Sequence, residues 1–320
     1  MYDVIALGEL LIDFAPKSRS ETGYPVLAAQ PGGAPANFLA ALNRYGCRTA
    51  LIGKVGEDMF GGLLLETVRS AGIDTRGILM DPDVFTTLAF VSLDESGNRD
   101  FSFARKPGAD TCLRPEEVDC SLLQQAKVFH FGTLSLTDEP AASATRAAVK
   151  EAKAANLLIS VDPNLRKPLW KKETDAKFAM EWSLRQADIV KISDEEIDFL
   201  WGLSPEEGAQ KLLGEYGVSL VYATLGPKGC HAATAAHRVT VSSPSGIHVV
   251  DTTGAGDIFG GSAMSRFLSF GVSPRDLTEA NLAEIVSFAC TAASLSTQKH
   301  GGITSVPTLE EVQNYRAGAH

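Results

Sequence analysis

Cysteine and histidine are scarce in this 320-residue chain, and neither is spaced for metal binding. The five cysteines form no CxxC pair, and the six histidines form no HExxH or comparable ligand pattern. Sites of the zinc-finger and zincin types are therefore excluded. An odd number of widely separated cysteines is typical of reduced thiols, so the sequence predicts a cytoplasmic protein without a disulfide framework. The cysteines are Cys47, Cys112, Cys120, Cys230 and Cys290.

Positive charge and long apolar runs are also in short supply. The 39 acidic residues outnumber the 29 lysines and arginines, which gives a net charge of −10. Nucleic acids and anionic membranes repel such a chain, so neither is predicted as a partner. No segment is apolar for long enough to span a bilayer. The acidic start Met1–Ile5 also differs from the basic start of a signal peptide.

Two common nucleotide-binding fingerprints are absent from the sequence. A P-loop needs GxxxxGK followed by Ser or Thr, but Gly53-Lys54 lacks both the upstream glycine and the hydroxyl residue. A Rossmann dehydrogenase needs GxGxxG after its first strand, where this chain has the stretch Gly8–Asp13. P-loop kinases and Rossmann dehydrogenases are thus ruled out.

What the sequence does contain is a regular alternation of strand and helix patterns. Val4–Phe14 is predicted as a buried first strand, and most of the later apolar runs are separated by helical patterns. Strands that alternate with helices indicate an α/β protein with a mainly parallel sheet covered on both faces. The apolar runs are Ala50–Ile52, Val128–Phe131, Leu157–Val161, Asp188–Val190 and Leu220–Ala223, and the helical patterns include Ala141–Ala154, Asp175–Gln186 and Pro205–Tyr216.

One region departs from this alternation. Between Phe85 and Phe103 two strand patterns flank the polar turn Asp94–Asn98, which predicts a hairpin without a crossover helix. Residues 15–31 are rich in Pro, Gly and Ser and can supply the other part of a small antiparallel sheet. Such a sheet, standing off an α/β core, is predicted to be a lid.

The most informative stretch is the glycine-rich Asp251–Asp257, predicted to lie between a strand at Ile247–Val250 and a helix. The first N–H groups of a helix lack intrahelical partners, and together with the helix dipole they attract a phosphate or a developing oxyanion. Gly254 and Gly256 let the anion approach closely. Asp257 would repel a phosphate, which makes sense if it takes a proton from an attacking hydroxyl. We therefore interpret Asp257 as a general base; the alternative is a carboxylate that only stabilises the helix N-terminus.

A second glycine-rich stretch, Pro31–Asn37, leads into another predicted helix. Gly32 and Gly33 permit close backbone approach, and the Asn37 amide offers a donor and an acceptor for hydroxyl groups. A turn followed by a helix cap explains the same pattern equally well. Asp13 interrupts the apolar end of the predicted first strand, where an unpaired buried carboxylate is costly. It therefore either binds a ligand or lies at a solvated strand end.

These stretches resemble the two signatures of the ribokinase-like sugar kinases, also called the PfkB family. Asp251–Asp257 resembles the second signature, and Pro31–Asn37 followed by Phe38–Gly46 resembles the first. The resemblance implies a three-layer αβα core with a mainly parallel sheet, plus a small β-sheet lid that covers the sugar and forms a homodimer contact. By this resemblance the core comprises residues 1–14, 32–84 and 111–320, and the lid comprises residues 15–31 and 85–110.

The resemblance also implies which residues bind the sugar and act on it. Arg105 resembles the lid arginine of bacterial and plant fructokinases, and Arg166 lies in a stretch shared by fructokinases and 2-keto-3-deoxygluconate kinases. A planar guanidinium can bridge sugar oxygens and the transferring phosphoryl group. The implied sugar ligands are Asp13, Gly32, Gly33, Asn37, Arg105 and Asp257, and the implied catalytic groups are Asp257, Arg166 and the anion hole of Gly254, Ala255 and Gly256.

ATP and Mg²⁺ are the cofactors that the resemblance implies. Lys191–Glu196 is similar to the family's Asn-x-x-Glu motif, with Ser193 where most of the family has asparagine. Glu196 keeps the carboxylate that would hold Mg²⁺ through water. Thr224–Gly229 resembles the phosphate-side loop of the family. The implied ATP contacts are Lys191, Ser193, Thr224, Gly226, Gly229, Gly254 and Gly256.

A monovalent-cation site beside the anion hole is a further implication of the resemblance. Asp251 and Thr253 on one side, with Gly301 and Ser305 on the other, match its elements in part. The surrounding stretch departs from the ribokinase pattern at His300 and Ile303. K⁺ held there by oxygen ligands would order the turn that forms the anion hole.

Together these features predict a cytoplasmic, ATP-dependent sugar kinase that is most similar to fructokinase and converts D-fructose to fructose 6-phosphate. Arg105 favours fructose; 2-keto-3-deoxygluconate kinase is the alternative, ahead of ribokinase and nucleoside kinase. A hypothesis of a different class is a catalytically idle sugar or nucleotide sensor on the same fold. An idle sensor would not need a base, so the presence of Asp257 beside an intact glycine turn argues against it. The predicted partners are the sugar, ATP and a second copy of the chain bound through the lid.

Overall fold

The computed structural model describes residues 1–93 and 99–318, in which the strands form two sheets. None of the helices in these residues combines the length and the apolar character that a membrane-spanning helix needs. In chain order the strands are β1 Tyr2–Leu7, β2 Leu11–Arg19, β3 Pro25–Gly32, β4 Thr49–Gly56, β5 Asp74–Asp81, β6 Leu88–Leu93, β7 Arg99–Ala104, β8 Ala126–Gly132, β9 Leu158–Asp162, β10 Ile189–Ser193, β11 Leu220–Thr224, β12 Cys230–Ala233 and β13 Arg238–Val241. The helices are α1 Ala34–Arg44, α2 Met59–Ser70, α3 Cys120–Leu123, α4 Ala141–Ala154, α5 Glu173–Leu184, α6 Asp194–Trp201, α7 Pro205–Glu215, α8 Ala255–Phe270, α9 Glu279–Ser296 and α10 Leu309–Arg316.

The larger sheet has the strand order β13-β12-β11-β10-β9-β8-β1-β4-β5. From β11 to β5 every neighbouring pair is parallel, and β12 and β13 form an antiparallel edge. In the centre, Val4 of β1 pairs with Thr49 on one side and Val128 on the other. Central parallel strands are buried on both faces, which is why they appear in the sequence as continuous apolar runs. The prediction of a mainly parallel sheet is confirmed.

Apolar cores lie on both faces of this sheet. Val4 and Ala6 of β1 pack into a cluster with α1, α2, α8 and α9, whereas Ile5 and Leu7 pack into a second cluster with α4, α5 and α7. Successive side chains of a strand point to opposite faces, so one short strand contributes to both cores. The predicted three-layer αβα arrangement is therefore confirmed.

The smaller sheet has the order β3-β2-β6-β7. The predicted hairpin is present, because β6 and β7 pair antiparallel, with Leu88 of β6 opposite Ala104 of β7. The turn of the hairpin, Asp94–Asn98, lies outside the described residues. The sheet is not wholly antiparallel as predicted. β2 and β6 pair in parallel, since both leave the core at the same place, where the Ile12 N–H donates to the Thr87 carbonyl.

The prediction of one strand over Val4–Phe14 is wrong. β1 ends at Leu7 in the large sheet, and β2 begins at Leu11 in the small one. Leu10 and Ile12 are almost fully buried beside the crossing point, so the apolar pattern continues across the break and hides it. The small sheet consequently begins before residue 15 and extends to Gly32.

The prediction of a strand at Ile247–Val250 is also wrong. This segment is irregular, and Val249 and Val250 are 55% and 42% exposed. The N–H groups of Val250 and Asp251 both donate to the Thr297 carbonyl, just beyond the end of α9. The segment is thus tied to a helix end and not to a strand. The helix predicted after the glycine-rich stretch is confirmed as α8.

Candidate active site

A cavity of about 650 Å³ lies where the small sheet meets the carboxyl ends of several parallel strands. Ligands of α/β proteins bind at these strand ends, and the volume suits a small molecule with its phosphate donor. The small sheet contributes Asp13 and Phe103 to its wall. The predicted site residues on the wall are Asp13, Gly33, Asn37, Arg166, Lys191, Ser193, Glu196, Thr253, Gly254, Gly256 and Asp257.

Other predicted site residues do not reach this wall, among the residues that the structure describes. Thr224 pairs with Ser193 at the end of the neighbouring strand, and the turn that contains Gly226 and Gly229 follows it. A nucleotide that extended from the cavity along this edge would meet that turn. The predicted residues that lie off the wall are Gly32, Arg105, Thr224, Gly226, Gly229, Asp251, Ala255, Gly301 and Ser305.

Asp257 is held in place from both sides. It lies in the first turn of α8 and is only 8% exposed. Its Oδ2 accepts a hydrogen bond from Asn37 Nδ2 at 2.9 Å, and its Oδ1 accepts one from Asn164 Nδ2 at 3.0 Å. Burial raises the pKa of Asp257, while the Asn37 bond, the Lys191 and Arg166 charges and the Asn164 bond oppose that rise. An oriented carboxylate of raised pKa is suited to accept a proton from a hydroxyl group in the cavity.

The turn before α8 requires its glycine. Gly254 has a φ of +74° in the left-handed region, and a Cβ there would lie 2.9 Å from the Gly302 Cα and 3.0 Å from Asn37 Nδ2. Any side chain would therefore push the turn away from Asn37. The Ala255 N–H donates to the Thr252 carbonyl at 3.2 Å, so this predicted anion-hole donor is already engaged. Gly254 and Gly256 face the cavity.

A lysine provides positive charge beside this turn. Lys191 Nζ lies 2.9 Å from Asp162 Oδ2, and a Cβ on Gly256 would be 3.2 Å from the same nitrogen. Burial by itself lowers the pKa of Lys191, but the carboxylates of Asp162, Glu196 and Asp257 raise it above the usual value. The ammonium group therefore stays charged, next to the place where an anion would bind.

Ser193 and Glu196 form a capping box at the start of α6. Glu196 Oε2 accepts from the Ser193 N–H at 2.9 Å, Ser193 Oγ accepts from the Glu196 N–H at 3.2 Å, and Glu196 Oε1 accepts from the Leu165 N–H at 2.7 Å. Within residues 1–93 and 99–318, no three His, Cys, Asp or Glu side chains are grouped closely enough to hold a metal ion. The carboxylate of Glu196 on the cavity wall nevertheless fits a Mg²⁺ ion that keeps water and phosphate ligands.

The loop predicted to hold a monovalent cation is assembled around Asp251. Its Oδ1 accepts from the Thr253 N–H at 2.8 Å, and its Oδ2 accepts from the Gly301 N–H at 3.1 Å. Ser305 Oγ donates to the Gly302 carbonyl at 2.9 Å. Carboxylate, carbonyl and hydroxyl oxygens are thus gathered behind the glycine turn, and this donor set fits K⁺.

Asp13 lies against Gly32, which has no side chain to occupy the space of the Asp13 carboxylate. A Cβ on Gly32 would lie 2.3 Å from Asp13 Oδ2, so the missing side chain leaves room for the carboxylate. Asp13 pairs with Gln30 across the β2–β3 ladder and lines the cavity. The small sheet therefore presents a carboxylate to the cavity.

Arg105 is 6% exposed, and each of its guanidinium nitrogens has a partner. Nε donates to Asp110 Oδ2 at 2.9 Å, one terminal nitrogen donates to Thr137 Oγ1 at 2.7 Å, and the other donates to the Leu134 carbonyl at 3.0 Å. Leu134 lines the cavity, so Arg105 lies one residue behind the wall. Contact between Arg105 and a sugar would require these bonds to rearrange, and it stays a prediction.

Sequence reasoning missed several polar residues of the site. Asn164 orients Asp257, Asp162 pairs with Lys191, and Glu9 lines the cavity. Asp162 and Asn164 come directly at the end of a buried strand of the parallel sheet, and that position was the available signal. Glu9 lies between Leu7 and Leu10, where the sequence gives no indication of its partner.

Known proteins resemble this chain along its whole length. The family model described as pfkB family carbohydrate kinase matches residues 1–309. Probable fructokinase-4 of Arabidopsis thaliana is 40% identical over 320 residues, which covers 98% of this chain and 97% of the relative. A fructokinase with bound ATP from Xylella fastidiosa has a TM-score of 0.88 at 28% identity, with all of both chains covered. A double mutant of fructokinase from Vibrio cholerae, in its fructose, ADP and potassium ion bound form, has a TM-score of 0.87 at 31% identity, with 98% of both chains covered.

The matched range includes both glycine-rich stretches, the cavity that they line and the two sheets between which it lies. The chain therefore belongs to the pfkB family of carbohydrate kinases, which transfer a phosphoryl group to an alcohol acceptor.

Proposed function

We propose that this kinase transfers the γ-phosphoryl group of ATP to D-fructose and forms fructose 6-phosphate. The observation that carries the proposal is Asp257, held by two amide groups beside a glycine turn on the wall of a cavity of about 650 Å³. The choice of fructose is supported by the relatives named above and by the fructose in the Vibrio cholerae structure.

In the proposed reaction Asp257 accepts the proton of the attacking sugar hydroxyl. The hydroxyl oxygen then forms a bond to the γ-phosphorus, and the bond from that phosphorus to the bridging oxygen of ADP breaks. The turn at Gly254 and Gly256, together with the charges of Lys191 and Arg166, stabilises the negative charge that develops on the transferring group. The proton remains on Asp257 until the products leave.

Two ions are part of the proposal. Glu196 would hold Mg²⁺ through water, and the ion would neutralise phosphate charge when bound. Asp251, Thr253, Gly301 and Ser305 would hold K⁺ behind the glycine turn. Since Asp251 already bonds to Thr253 and Gly301, an ion there would stiffen the loop that supports Gly254.

We also propose that the small sheet, with the segments that join it to the core, is a lid and a dimer contact. Phe14 stacks on Phe90 with ring centroids 5.2 Å apart, and Phe90 and Val26 are 37% and 38% exposed. An apolar surface of this kind suits a second copy of the chain. Sedimentation at micromolar concentration would contradict the dimer if it found monomers only.

The five free cysteines are consistent with the proposed cytoplasmic location.

The first experiment is a coupled ADP-release assay over a panel of sugars. Fructose should give the highest kcat/KM, ahead of 2-keto-3-deoxygluconate, ribose and nucleosides. A preference for 2-keto-3-deoxygluconate would overturn the fructose assignment, and the absence of turnover with any sugar would favour the sensor hypothesis. The same panel in potassium-rich and potassium-free buffer tests the proposed ion, because equal rates in the two buffers would count against K⁺.

A further inference from the structure

Glu9 is a buried carboxylate at the junction between the two sheets. It lies between the end of β1 and the start of β2 and is only 4% exposed. It lines the main cavity, and it also lines a second cavity of about 10 Å³ whose wall includes Asp257 and His130. That volume is about the size of one water molecule. Glu9 and Asp257 therefore share the walls of both cavities.

The contacts of Glu9 are with the glycine-rich stretch that opens α1. Its Oε1 accepts a hydrogen bond from the Ala34 N–H at 2.8 Å, at the first residue of that helix. A Cβ on Gly33 would lie 2.4 Å from the Glu9 carbonyl oxygen, so the loop packs directly against this residue. Glu9 thus contacts the stretch proposed to bind sugar through both its side chain and its backbone.

No lysine, arginine or histidine forms an ion pair with Glu9, within the part of the chain that the structure describes. The Arg105 guanidinium acts on it through its charge but pairs with Asp110 at 2.7 Å. A buried carboxylate without a cation partner is costly for stability. Burial raises the pKa of Glu9 to about 7, and the Ala34 bond opposes the rise. A residue that carries such a cost needs a compensating role.

A short path links this carboxylate to the proposed base. Ala34 and Asn37 lie in the same first turn of α1, where the Asn37 N–H donates to the Gly33 carbonyl at 3.0 Å. Asn37 Nδ2 in turn donates to Asp257 Oδ2 at 2.9 Å. A shift of this turn would therefore move both the loop at Gly33 and one of the two amides that orient Asp257.

We propose that Glu9 is a positioning residue whose carboxylate fixes the first turn of α1, so that Gly33 stays at the sugar and Asn37 keeps Asp257 oriented. The consequence for the sugar rests on the proposed function. The consequence for the backbone at Ala34 does not depend on the identity of the substrate.

The kinetic test compares Glu9→Ala, Glu9→Gln and Glu9→Asp with a control, Glu66→Gln, at an exposed position of α2. Glu9→Ala removes the acceptor, and Glu9→Asp withdraws it from Ala34. Both should raise the KM for the sugar about tenfold or more and lower kcat, with the KM for ATP unchanged. Glu9→Gln keeps an oxygen for the Ala34 N–H and should stay within about threefold of the wild type, like the control. A general loss of structure would affect both substrates.

Hydrogen exchange in the free protein provides a readout without substrate. The segment 33–38 should exchange faster in Glu9→Ala and Glu9→Asp, and at the wild-type rate in Glu9→Gln. If fructose is not the substrate, the exchange result still stands, and the kinetics are measured with the sugar that the wild type accepts. If Glu9→Ala does not fold, as judged by circular dichroism, the comparison of Glu9→Asp with Glu9→Gln tests the proposal.

Two results would overturn the proposal. One is unchanged exchange and unchanged sugar KM in both Glu9→Asp and Glu9→Ala. The other is a loss in Glu9→Gln as large as in Glu9→Asp, which would mean that the charge of Glu9 acts and its hydrogen bond does not.

Discussion

The large and small sheets of this molecule differ in how much of each strand is buried. Every residue of β4 in the large sheet is buried, whereas β3 in the small sheet is exposed at Pro25 and buried only at Gly32. β2 is likewise buried at Leu11 and exposed from Pro16 onward. The small sheet is thus anchored at one end. Segments with few buried contacts open at lower free energy than a core, so the exposed ends of β2 and β3 should open more easily than β4.

The largest expected effect comes from a substitution of Asp257 in α8. Asp257→Asn removes the proposed base but keeps the side-chain shape, so kcat should fall by about a hundredfold or more while sugar affinity changes little. Steady-state kinetics and sugar binding by calorimetry check this result. Turnover close to that of the wild type would show that Asp257 only stabilises the start of α8.

The next effect concerns the anchored end of the small sheet. Arg105→Ala should lower kcat/KM for fructose by more than about tenfold and leave ATP binding unchanged, since the proposed closure over the sugar would depend on this anchor. It also leaves the buried Asp110 carboxylate without its cation, although Thr87 Oγ1 still donates to it, and this should reduce stability by roughly 3 kcal/mol.

The double variant Arg105→Ala with Asp110→Asn separates these two effects. It should recover most of the stability, measured by denaturant unfolding, without recovering fructose use. Hydrogen exchange in residues 85–110 should also slow when sugar is added to the wild type. Exchange that is indifferent to fructose, with kcat/KM retained in Arg105→Ala, would leave the small sheet as a dimer contact only.

The smallest expected effect is on the pH dependence of stability, and it comes from Glu9 at the junction between the two sheets. The folded-state pKa of Glu9 is about 7, above its ordinary value of 4.5, because burial disfavours the charged form and Asp110 adds to this, while Ala34 and Arg105 oppose it. The folded protein therefore binds the proton more tightly than the unfolded chain. Between pH 4.5 and 7 this group should lower stability on the order of 1 kcal/mol per pH unit as the pH rises. Denaturant titrations of Glu9→Gln should lack this contribution, and identical pH slopes would contradict it.

Much of this arrangement was predictable because its signals are local. Alternating apolar runs predicted the parallel sheet, and the contiguous stretch Asp251–Asp257 predicted the glycine turn and the start of α8. Local signals failed where two elements meet. The strand predicted over Val4–Phe14 hid a change of sheet, since the residues on both sides of the break are equally apolar. The segment Ile247–Val250 has strand-forming residues but is tied to the end of α9 by two backbone hydrogen bonds to Thr297.

The sequence by itself determined the family, the layered fold and half of the residues on the cavity wall, because the signatures are contiguous and carry their own turn and helix-start chemistry. Only the tertiary structure decided how those residues are held. Asn37 and Asn164 orient Asp257 from 220 and 93 residues away, and Glu9 reaches a backbone N–H 25 residues further along. Contacts over such separations depend on how helices and strands pack, and no residue pattern within one segment specifies them. The same holds for Arg105, whose sequence setting predicts a sugar ligand and whose packing gives it Thr137 and Leu134, 32 and 29 residues away, as partners.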